Sequence, residues 1–246
     1  MTSRATWVWA DEAAPPDPDA LAALVVRERV SEAFVSVPWA GPTPSTHRLV
    51  AALRGAGARV AALGGDPAWV EPGPALAWAR RVAAAWLFDG IHLDIEPWGR
   101  SDWPGNEQRL LDGLERSVRD VAGGTRLPVE IDLAPWIAQT HPSAFDRIVR
   151  RADAVTLMAY RDRADDILAV SAGARALLAG ARRPWRIGVE TAPVGEPAPA
   201  ARETFADDGR AVLERELAAV VARLDARDGF AGVAVHDAAG WARLAP

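Results

Sequence analysis

Short runs of apolar residues recur along the chain, and each is followed by a longer stretch in which apolar residues return every three or four positions. The short runs are typical of buried strands, and the longer stretches are typical of amphipathic helices. The pattern repeats eight times, which indicates a series of βα units. The predicted strands cover residues 6–10, 32–39, 58–65, 90–97, 128–136, 154–160, 185–192 and 230–237.

Eight βα units in 246 residues have the size and order of an α/β fold, the (β/α)8 TIM barrel. The composition does not shift along the chain, and the proline-rich stretches 14–20 and 192–203 fall where loops after the first and seventh strands are expected. We therefore predict one barrel domain over residues 1–246. A doubly wound open sheet is the alternative, but the GxGxxG turn that favours it does not follow the first strand.

Ionisable residues interrupt the fourth predicted strand, in the stretch LFDGIHLDIEPWG at 87–99. Because side chains alternate along a strand, His92, Asp94 and Glu96 share one face, which we expect to point into the barrel with Glu96 nearest the C-terminal mouth. Neighbouring carboxylates and burial both raise the pKa of a carboxyl group. Such a glutamic acid is suited to be the general acid of glycosidic cleavage, and the alternative is an internal polar network. Asp89 precedes the strand and is expected to bind turn amides.

The same alternation predicts further polar side chains inside the barrel, namely Glu130, Asp132, Thr156, Met158, Tyr160, Glu190 and His236. Together with the fourth strand they bring five carboxylates and two imidazoles into the barrel. Such a set could bind a divalent metal, as in sugar isomerases or metal-dependent lyases of this fold, which is an alternative function. The sequence has no compact ligand motif such as HExxH, and we predict neither a metal site nor a cofactor.

Tryptophan is abundant, with eleven residues in the chain, and most of them fall at the predicted C-terminal ends of strands. Flat aromatic faces at a concave site suit the apolar faces of sugar rings, although a single ring can equally plug the barrel. We expect at least two of Trp9, Trp39, Trp136 and Trp241 to line one pocket, and we predict a carbohydrate or glycoconjugate as the ligand. The predicted sugar-binding residues are Trp9, Trp39, Trp98, Trp136 and Trp241, together with His92, Asp132, Met158, Glu190 and His236.

The fourth strand resembles that of glycoside hydrolase family 18, the chitinase-like barrels, in which it reads DGxDxDxE. The matching residues are Asp89, Gly90, Asp94 and Glu96, and His92 stands where the family has Asp or Asn. The stretch ALGG at 62–65 is similar to the family's third-strand SxGG, and MAYR at 158–161 is similar to its sixth-strand MxYD.

The resemblance implies a retaining glycosidase that acts on a sugar polymer or glycoconjugate. It gives Glu96 the acid/base role and gives Asp94 the role of orienting the 2-acetamido group of the substrate, which attacks the anomeric carbon. It gives Tyr160 a hydrogen bond to the acetamido oxygen. The family ends its eighth strand in a tryptophan, whereas this chain has His236 there. At the inner position of the fourth strand it has His92, which we expect to pair with Asp94. These departures leave a non-catalytic sugar- or protein-binding barrel as an alternative.

Charge and composition narrow the remaining classes of function. The formal net charge is −5 and no run of basic residues occurs, which argues against nucleic-acid binding. The chain contains no cysteine, so thiol catalysis, disulfides and thiolate metal sites are excluded. No apolar stretch has the length of a membrane span and the first residues do not resemble a signal peptide, so we expect a cytoplasmic protein without a membrane partner.

Overall fold

The computed structural model describes residues 2–195, 199–224 and 228–246. Within these ranges eight parallel strands form one closed barrel in sequence order, and the last strand pairs with the first. This confirms the predicted (β/α)8 TIM barrel and excludes the doubly wound open sheet. The strands are β1 (Ser3–Val8), β2 (Glu32–Ser36), β3 (Arg59–Gly64), β4 (Gly90–Leu93), β5 (Val129–Leu133), β6 (Ala154–Met158), β7 (Trp185–Glu190) and β8 (Phe230–His236).

Most of the predicted strands run past the C-terminal ends that the structure shows. In the fourth strand, for example, the ladder ends at Leu93, although Asp94 and Glu96 follow it without a change in the sequence pattern. In β4 the hydrogen-bonded ladder therefore ends before Asp94 and Glu96, which lie at the mouth. The first strand also ends earlier than predicted, at Val8, and it begins earlier, at Ser3.

The helices lie between the strands and often begin with proline, whose missing N–H is not needed in the first helical turn. The described residues form α1 (Pro18–Glu28), α2 (Pro44–Gly55), α3 (Pro74–Ala84), α4 (Glu107–Gly124), α5 (Ile137–Thr140), α6 (Pro142–Arg151), α7 (Ala164–Ala181), α8 (Arg210–Arg223) and α9 (Ala238–Arg243). Among them, none combines the length and the apolar character that a bilayer span requires. Parts of the loop predicted after the seventh strand (196–198) and of the last predicted helix (225–227) lie outside the described residues.

The apolar side chains form two layers. Outward-facing strand residues such as Ile91 and Leu93 are fully buried against the helices. A second, smaller cluster fills part of the barrel interior, with Trp7 and Phe34 as its largest members. The interior is therefore packed with side chains, as is usual for this fold, and is not a pore.

The end of β3 lies directly against the chain that carries the polar residues of the fourth strand. The backbone N–H of Asp94 donates to the carbonyl of Gly64 at 3.0 Å. A Cβ at Gly65 would lie 1.7 Å from the carbonyl oxygen of Asp94, so only glycine permits this approach. The ALGG stretch thus fixes the position of Asp94 through backbone contact.

Asp89 has the structural role expected for it. Its carboxylate accepts a hydrogen bond from the backbone N–H of Val60 at 2.8 Å and another from Arg54 at 2.7 Å. Both contacts are with the neighbouring βα unit, so Asp89 ties the beginning of β4 to β3 and α2.

Candidate functional site

A cavity of about 640 Å³ opens at the C-terminal mouth of the barrel. Its walls include residues that follow β4, β5, β6 and β7, so four strands contribute to one site. This is the end of the barrel at which enzymes of this fold place their active sites. The predicted site residues that line it are Glu96, Trp98, Trp136, Met158, Tyr160 and Glu190.

Asp94 and Glu96 lie at the inner end of this cavity. Glu96 lines it, whereas Asp94 does not, and one of the carboxyl oxygens of Asp94 is buried without a hydrogen-bond partner among the described residues. Burial raises the pKa of Asp94 well above its ordinary value, and the charges of Asp132 and Glu96 act in the same direction. Burial and Asp132 also raise the pKa of Glu96, against hydrogen bonds from Trp98 and Asp94 that lower it. The surroundings of Asp94 and Glu96 therefore favour the protonated form of each carboxyl group.

His92 lies below Asp94, but it does not pair with Asp94, so that expectation is wrong. The imidazole Nε2 is 2.9 Å from Asp132 Oδ1, and Nδ1 is 3.4 Å from Glu130 Oε2. The parallel register explains this choice, because it places Glu130 directly beside His92 on the neighbouring strand. Burial lowers the pKa of His92, but the two carboxylates outweigh it and raise the pKa to about 9.

Asp132 receives a second donor that the sequence analysis missed. The indole N–H of Trp7 donates to Asp132 Oδ2 at 2.9 Å. Trp7 is two residues before Trp9 on the same face of β1, so strand alternation was the available signal. His92 and Asp132 are 0% and 1% exposed, which corrects their predicted contact with substrate. They lie beneath the site and can act on it only through Asp94 and Glu96.

A second polar group lies at the ends of β7, β8 and β1. Glu190 Oε1 accepts hydrogen bonds from the backbone N–H groups of Thr191 and Ala192, both at 2.7 Å. The Nδ1 of His236 is 2.9 Å from Glu190 Oε2, and its Nε2 is 3.1 Å from the indole nitrogen of Trp9. His236 therefore links a cavity-lining carboxylate to a half-exposed tryptophan.

Tyr160 and Met158 follow β6 into the cavity wall. Burial raises the pKa of the Tyr160 phenol well above its usual value, and the nearby carboxylates add to this effect, led by Asp132. Tyr160 is therefore a neutral hydrogen-bond donor at any physiological pH. Arg161, which follows it, lines the same cavity and lies 3.5 Å from Glu203.

The aromatic residues divide between the cavity and other parts of the surface. Trp98 and Trp136 line the cavity with their ring centroids 5.9 Å apart, and Trp103, which the sequence analysis overlooked, packs about equally close to Trp136. Trp9 and Trp39 line two separate depressions. At least two of Trp9, Trp39, Trp136 and Trp241 were expected to line one pocket, but no two of them line the same one of these cavities, although Trp98 joins Trp136.

The expected position of Trp241 at the mouth is wrong. Trp241 lies in α9, is completely buried and has the guanidinium of Arg4 at 5.1 Å from its ring. The chain turns after β8, and α9 packs against β1 and β8 on the outside of the barrel. Two further cavity-lining residues, Gln139 and Glu203, lie in helical segments after β5 and β7, where no strand pattern could indicate them.

The interior carboxylates are spread along the barrel axis and do not surround one point. Across the described ranges, no group of three or more His, Cys, Asp or Glu side chains has the arrangement of a metal site. Glu130 and Asp132 are instead held by His92, Arg186 and Trp7. The alternative of a divalent-metal isomerase or lyase gains no support from these residues.

No protein-family profile matches the sequence, and no curated protein matches it. Solved structures with a similar fold include the spore cortex-lytic enzyme SleL of Bacillus megaterium QM B1551, with a TM-score of 0.54 and 12% identity, covering 82% of this chain. This chain spans only 54% of the length of that protein.

Two other similar structures are covered more completely. A class V chitinase from Pseudomonas fluorescens Pf-5 has a TM-score of 0.59 and 12% identity, with 99% of this chain and 98% of that chain covered. A GH113 β-1,4-mannanase has a TM-score of 0.63 and 10% identity, with 100% and 90% covered. At such identities the likeness shows the fold alone, a closed eight-stranded TIM barrel.

Proposed function

We propose that this protein is a retaining glycoside hydrolase that acts on a sugar polymer or glycoconjugate, with Glu96 as the acid/base residue. The observation that carries the proposal is the position of Glu96, which lines the mouth cavity in surroundings that raise its pKa. A carboxylic acid that keeps its proton near neutral pH can protonate the leaving oxygen of a glycosidic bond. The names of the similar structures, a cortex-lytic enzyme, a chitinase and a mannanase, support polymeric sugars as the substrate class.

The surroundings of Glu96 suit this role in both directions of proton transfer. Burial, followed by the charge of Asp132, raises the pKa of Glu96 and favours its protonated form, whereas Trp98 and Asp94 lower this pKa and favour the carboxylate. In the second half of a retaining reaction the same carboxylate takes a proton from the attacking water. Trp98 and Trp136 offer aromatic faces beside it, on which a sugar ring can stack.

The family 18 resemblance adds support from three neighbouring positions. Asp94 lies directly below Glu96, and the phenol of Tyr160 lines the same cavity as a neutral donor. The closeness of these three side chains agrees with the DxE and MxY elements of the sequence. Arg161 replaces a residue of the family pattern at the same cavity, and His236 replaces another next to the cavity-lining Glu190, so the sugar bound here differs in its polar contacts.

The test is Glu96→Gln, assayed by the release of reducing sugar from a panel of unmodified β-linked oligosaccharides of N-acetylglucosamine, glucose and mannose, whose sugar leaving groups are poor. The substitution keeps the shape of the side chain but removes its proton, so we expect kcat on a poor leaving group to fall by roughly 10²- to 10⁴-fold. Sugar affinity, followed by tryptophan fluorescence, should not weaken. Glu214→Gln, which removes a carboxylate from the ion pair with Arg4, is the matched control and should keep wild-type activity.

Two outcomes contradict the proposal. If Glu96→Gln keeps the wild-type rate, Glu96 is not the proton donor. If the wild type cleaves no glycoside of the panel but binds the sugars, the protein is a sugar-binding barrel, which is the alternative that the replaced family residues leave open.

A further inference from the structure

The mouth cavity has a second buried carboxylate, on the far side of the barrel from Glu96. Glu190 ends β7, which is three strands away from β4, and both glutamates line the same cavity. We propose that Glu190 is the catalytic nucleophile, so that the reaction does not depend on an acetamido group of the substrate. This inference rests on the proposed glycosidase function and goes beyond it in naming the attacking group.

The hydrogen bonds of Glu190 leave one oxygen available for attack. Oε1 accepts from the backbone N–H groups of Thr191 and Ala192, which fix the carboxylate in place. Oε2 has a single neighbour, the Nδ1 of His236 at 2.9 Å. An oxygen with one donor keeps a free lone pair, and the fixed partner oxygen prevents the group from turning away from the cavity.

The contact with Trp9 shows which ring nitrogen of His236 carries the proton. An indole N–H can only donate, so the bond from Trp9 requires Nε2 of His236 to be the acceptor. The proton of the neutral imidazole is then on Nδ1, which donates to Glu190. All three groups that contact the Glu190 carboxylate are therefore hydrogen-bond donors, so the carboxylate acts only as an acceptor and its orientation is fixed.

Asp94 is poorly placed for the role that the family resemblance gives it. It is not among the described residues that line the cavity, and one of its carboxyl oxygens is buried without a hydrogen-bond partner among the described residues. A residue that orients the substrate's acetamido group has to reach that group. Glu190, in contrast, lines the cavity directly and is available to the reacting carbon.

The proposed reaction proceeds in two balanced steps. Glu190 Oε2 attacks the anomeric carbon, the bond from that carbon to the leaving oxygen breaks, and the leaving oxygen takes the proton of Glu96. Water then attacks the anomeric carbon and gives a proton to the Glu96 carboxylate, while the ester bond to Glu190 breaks. The product keeps the anomeric configuration of the substrate, and both glutamates return to their initial states.

The test compares two variants in sodium azide, with the most reactive dinitrophenyl glycoside of a sugar that the wild type cleaves. In Glu190→Ala azide replaces the nucleophile, so one inversion occurs and the glycosyl azide should have the anomeric configuration opposite to the substrate. In Glu96→Ala azide replaces the water of the second step, so the glycosyl azide should keep the configuration. The products are distinguished by proton NMR, and a structural role for Glu190 would not produce this difference.

Two further measurements keep the test independent of folding. Glu190→Gln, which can still accept from Thr191 and Ala192, should have the wild-type circular dichroism and a kcat reduced by at least roughly 10³-fold. A 2-deoxy-2-fluoro glycoside, which lacks an acetamido group, should label the wild type on the peptide that contains Glu190, as measured by mass spectrometry.

The outcomes separate this inference from the proposed function. If the wild type cleaves a glycoside but Glu190→Gln keeps its rate, or azide gives no product of opposite configuration with Glu190→Ala, Glu190 is not the nucleophile and only this inference fails. Cleavage restricted to N-acetylated sugars, without labelling of Glu190, overturns it as well. If the wild type cleaves no glycoside at all, the proposed function fails and the inference fails with it.

Discussion

Both ends of the barrel interior contain buried carboxyl groups, but the pKa of these groups is lowered at one end and raised at the other. We call Glu32, His92, Glu130 and Arg186 the base cluster. In it Arg186 donates to Glu32 at 2.8 Å and to Glu130 at 2.9 Å. Burial raises the pKa of Glu130, but Arg186 and His92 outweigh it and lower the pKa to about 2.

The mouth cluster consists of Asp94 and Glu96, and no arginine or other cation of the described residues forms an ion pair with it. Its main neighbour is Asp132, another carboxylate, and burial is the largest cause of the raised pKa of both residues. The pKa of a buried carboxyl group is thus lowered where it meets a cation and raised where it meets other carboxyl groups. The base cluster stabilises the fold, whereas the ionised form of the mouth cluster is disfavoured by its surroundings.

The substitution Arg186→Met should have the largest effect on stability, because it removes the cation of the base cluster. The substitution leaves Glu32 and Glu130 buried without the guanidinium, and removal of one partner of a buried ion pair typically costs about 3 to 5 kcal/mol. We expect the free energy of unfolding, measured by urea denaturation at pH 7, to fall by about that amount. Arg147 also contacts two carboxylates, Asp112 and Glu115, but at the surface.

Arg147→Met is therefore the matched control for Arg186→Met. Surface ion pairs are worth at most about 1 kcal/mol, so this variant should lose no more than that. Equal losses in the two variants would show that burial does not distinguish the base cluster from an ordinary surface pair.

The second prediction concerns the alkaline limit of stability. The pKa of His92 is raised from 6.5 in the unfolded chain to about 9 in the fold, so its contribution is fully present below pH 6.5 and is lost as the pH rises through 9. We expect the free energy of unfolding to fall by about 3 kcal/mol over this range on account of His92. His92→Gln should lack that part of the pH dependence.

The control for this prediction is His141→Gln, because His141 lies outside the barrel interior and contacts Thr140. It should keep the alkaline loss of the wild type. An NMR titration of the wild type measures the same quantity without any substitution, and a His92 pKa at or below 6.5 would contradict the pairing with Asp132 and Glu130.

The smallest expected effect has the opposite sign. Because the pKa of Asp94 is raised above its unfolded value of 3.8, the folded protein loses stability as the pH rises above that value. Asp94→Asn removes this cost, and we expect a gain of about 1 kcal/mol at pH 7 that disappears near pH 4, together with lower activity. A variant that is destabilised equally at both pH values would show that Asp94 is a structural residue like those of the base cluster.

Much of this arrangement follows from strand periodicity. The spacing of His92, Asp94 and Glu96 was sufficient to predict that they point into the barrel, because a parallel strand with one face against helices leaves polar side chains no other place. The alternation also predicted the inward positions of Asp132 and Glu190. The fold and the set of inward-facing residues could therefore be predicted from the sequence.

The hydrogen-bond and ion-pair partners of these residues could not be predicted from strand periodicity. Which carboxylate pairs with His92 depends on the register between β4 and β5, and a register is a property of two strands. The position of Trp241 depends on the direction in which the chain turns after β8, since α9 carries it outside the barrel. Arg186 lies on an apolar strand that gave no sign of its two carboxylate partners.

The base cluster also closes one end of the barrel interior, so ligands can enter and leave the cavity only from the mouth side. Arg186, His92 and Phe34 close the barrel interior below the cavity, and Arg186 lies 5.3 Å from the ring of Phe34, on which His92 stacks at 3.7 Å. If the proposed reaction takes place, incoming sugar, departing alcohol and attacking water share the opening of the mouth cavity. In its two-step form the released alcohol has to leave before water can reach the glycosylated enzyme. A second sugar that occupies the opening first would receive the glycosyl group, so the proposal predicts that synthesis of longer chains competes with hydrolysis at high substrate concentration.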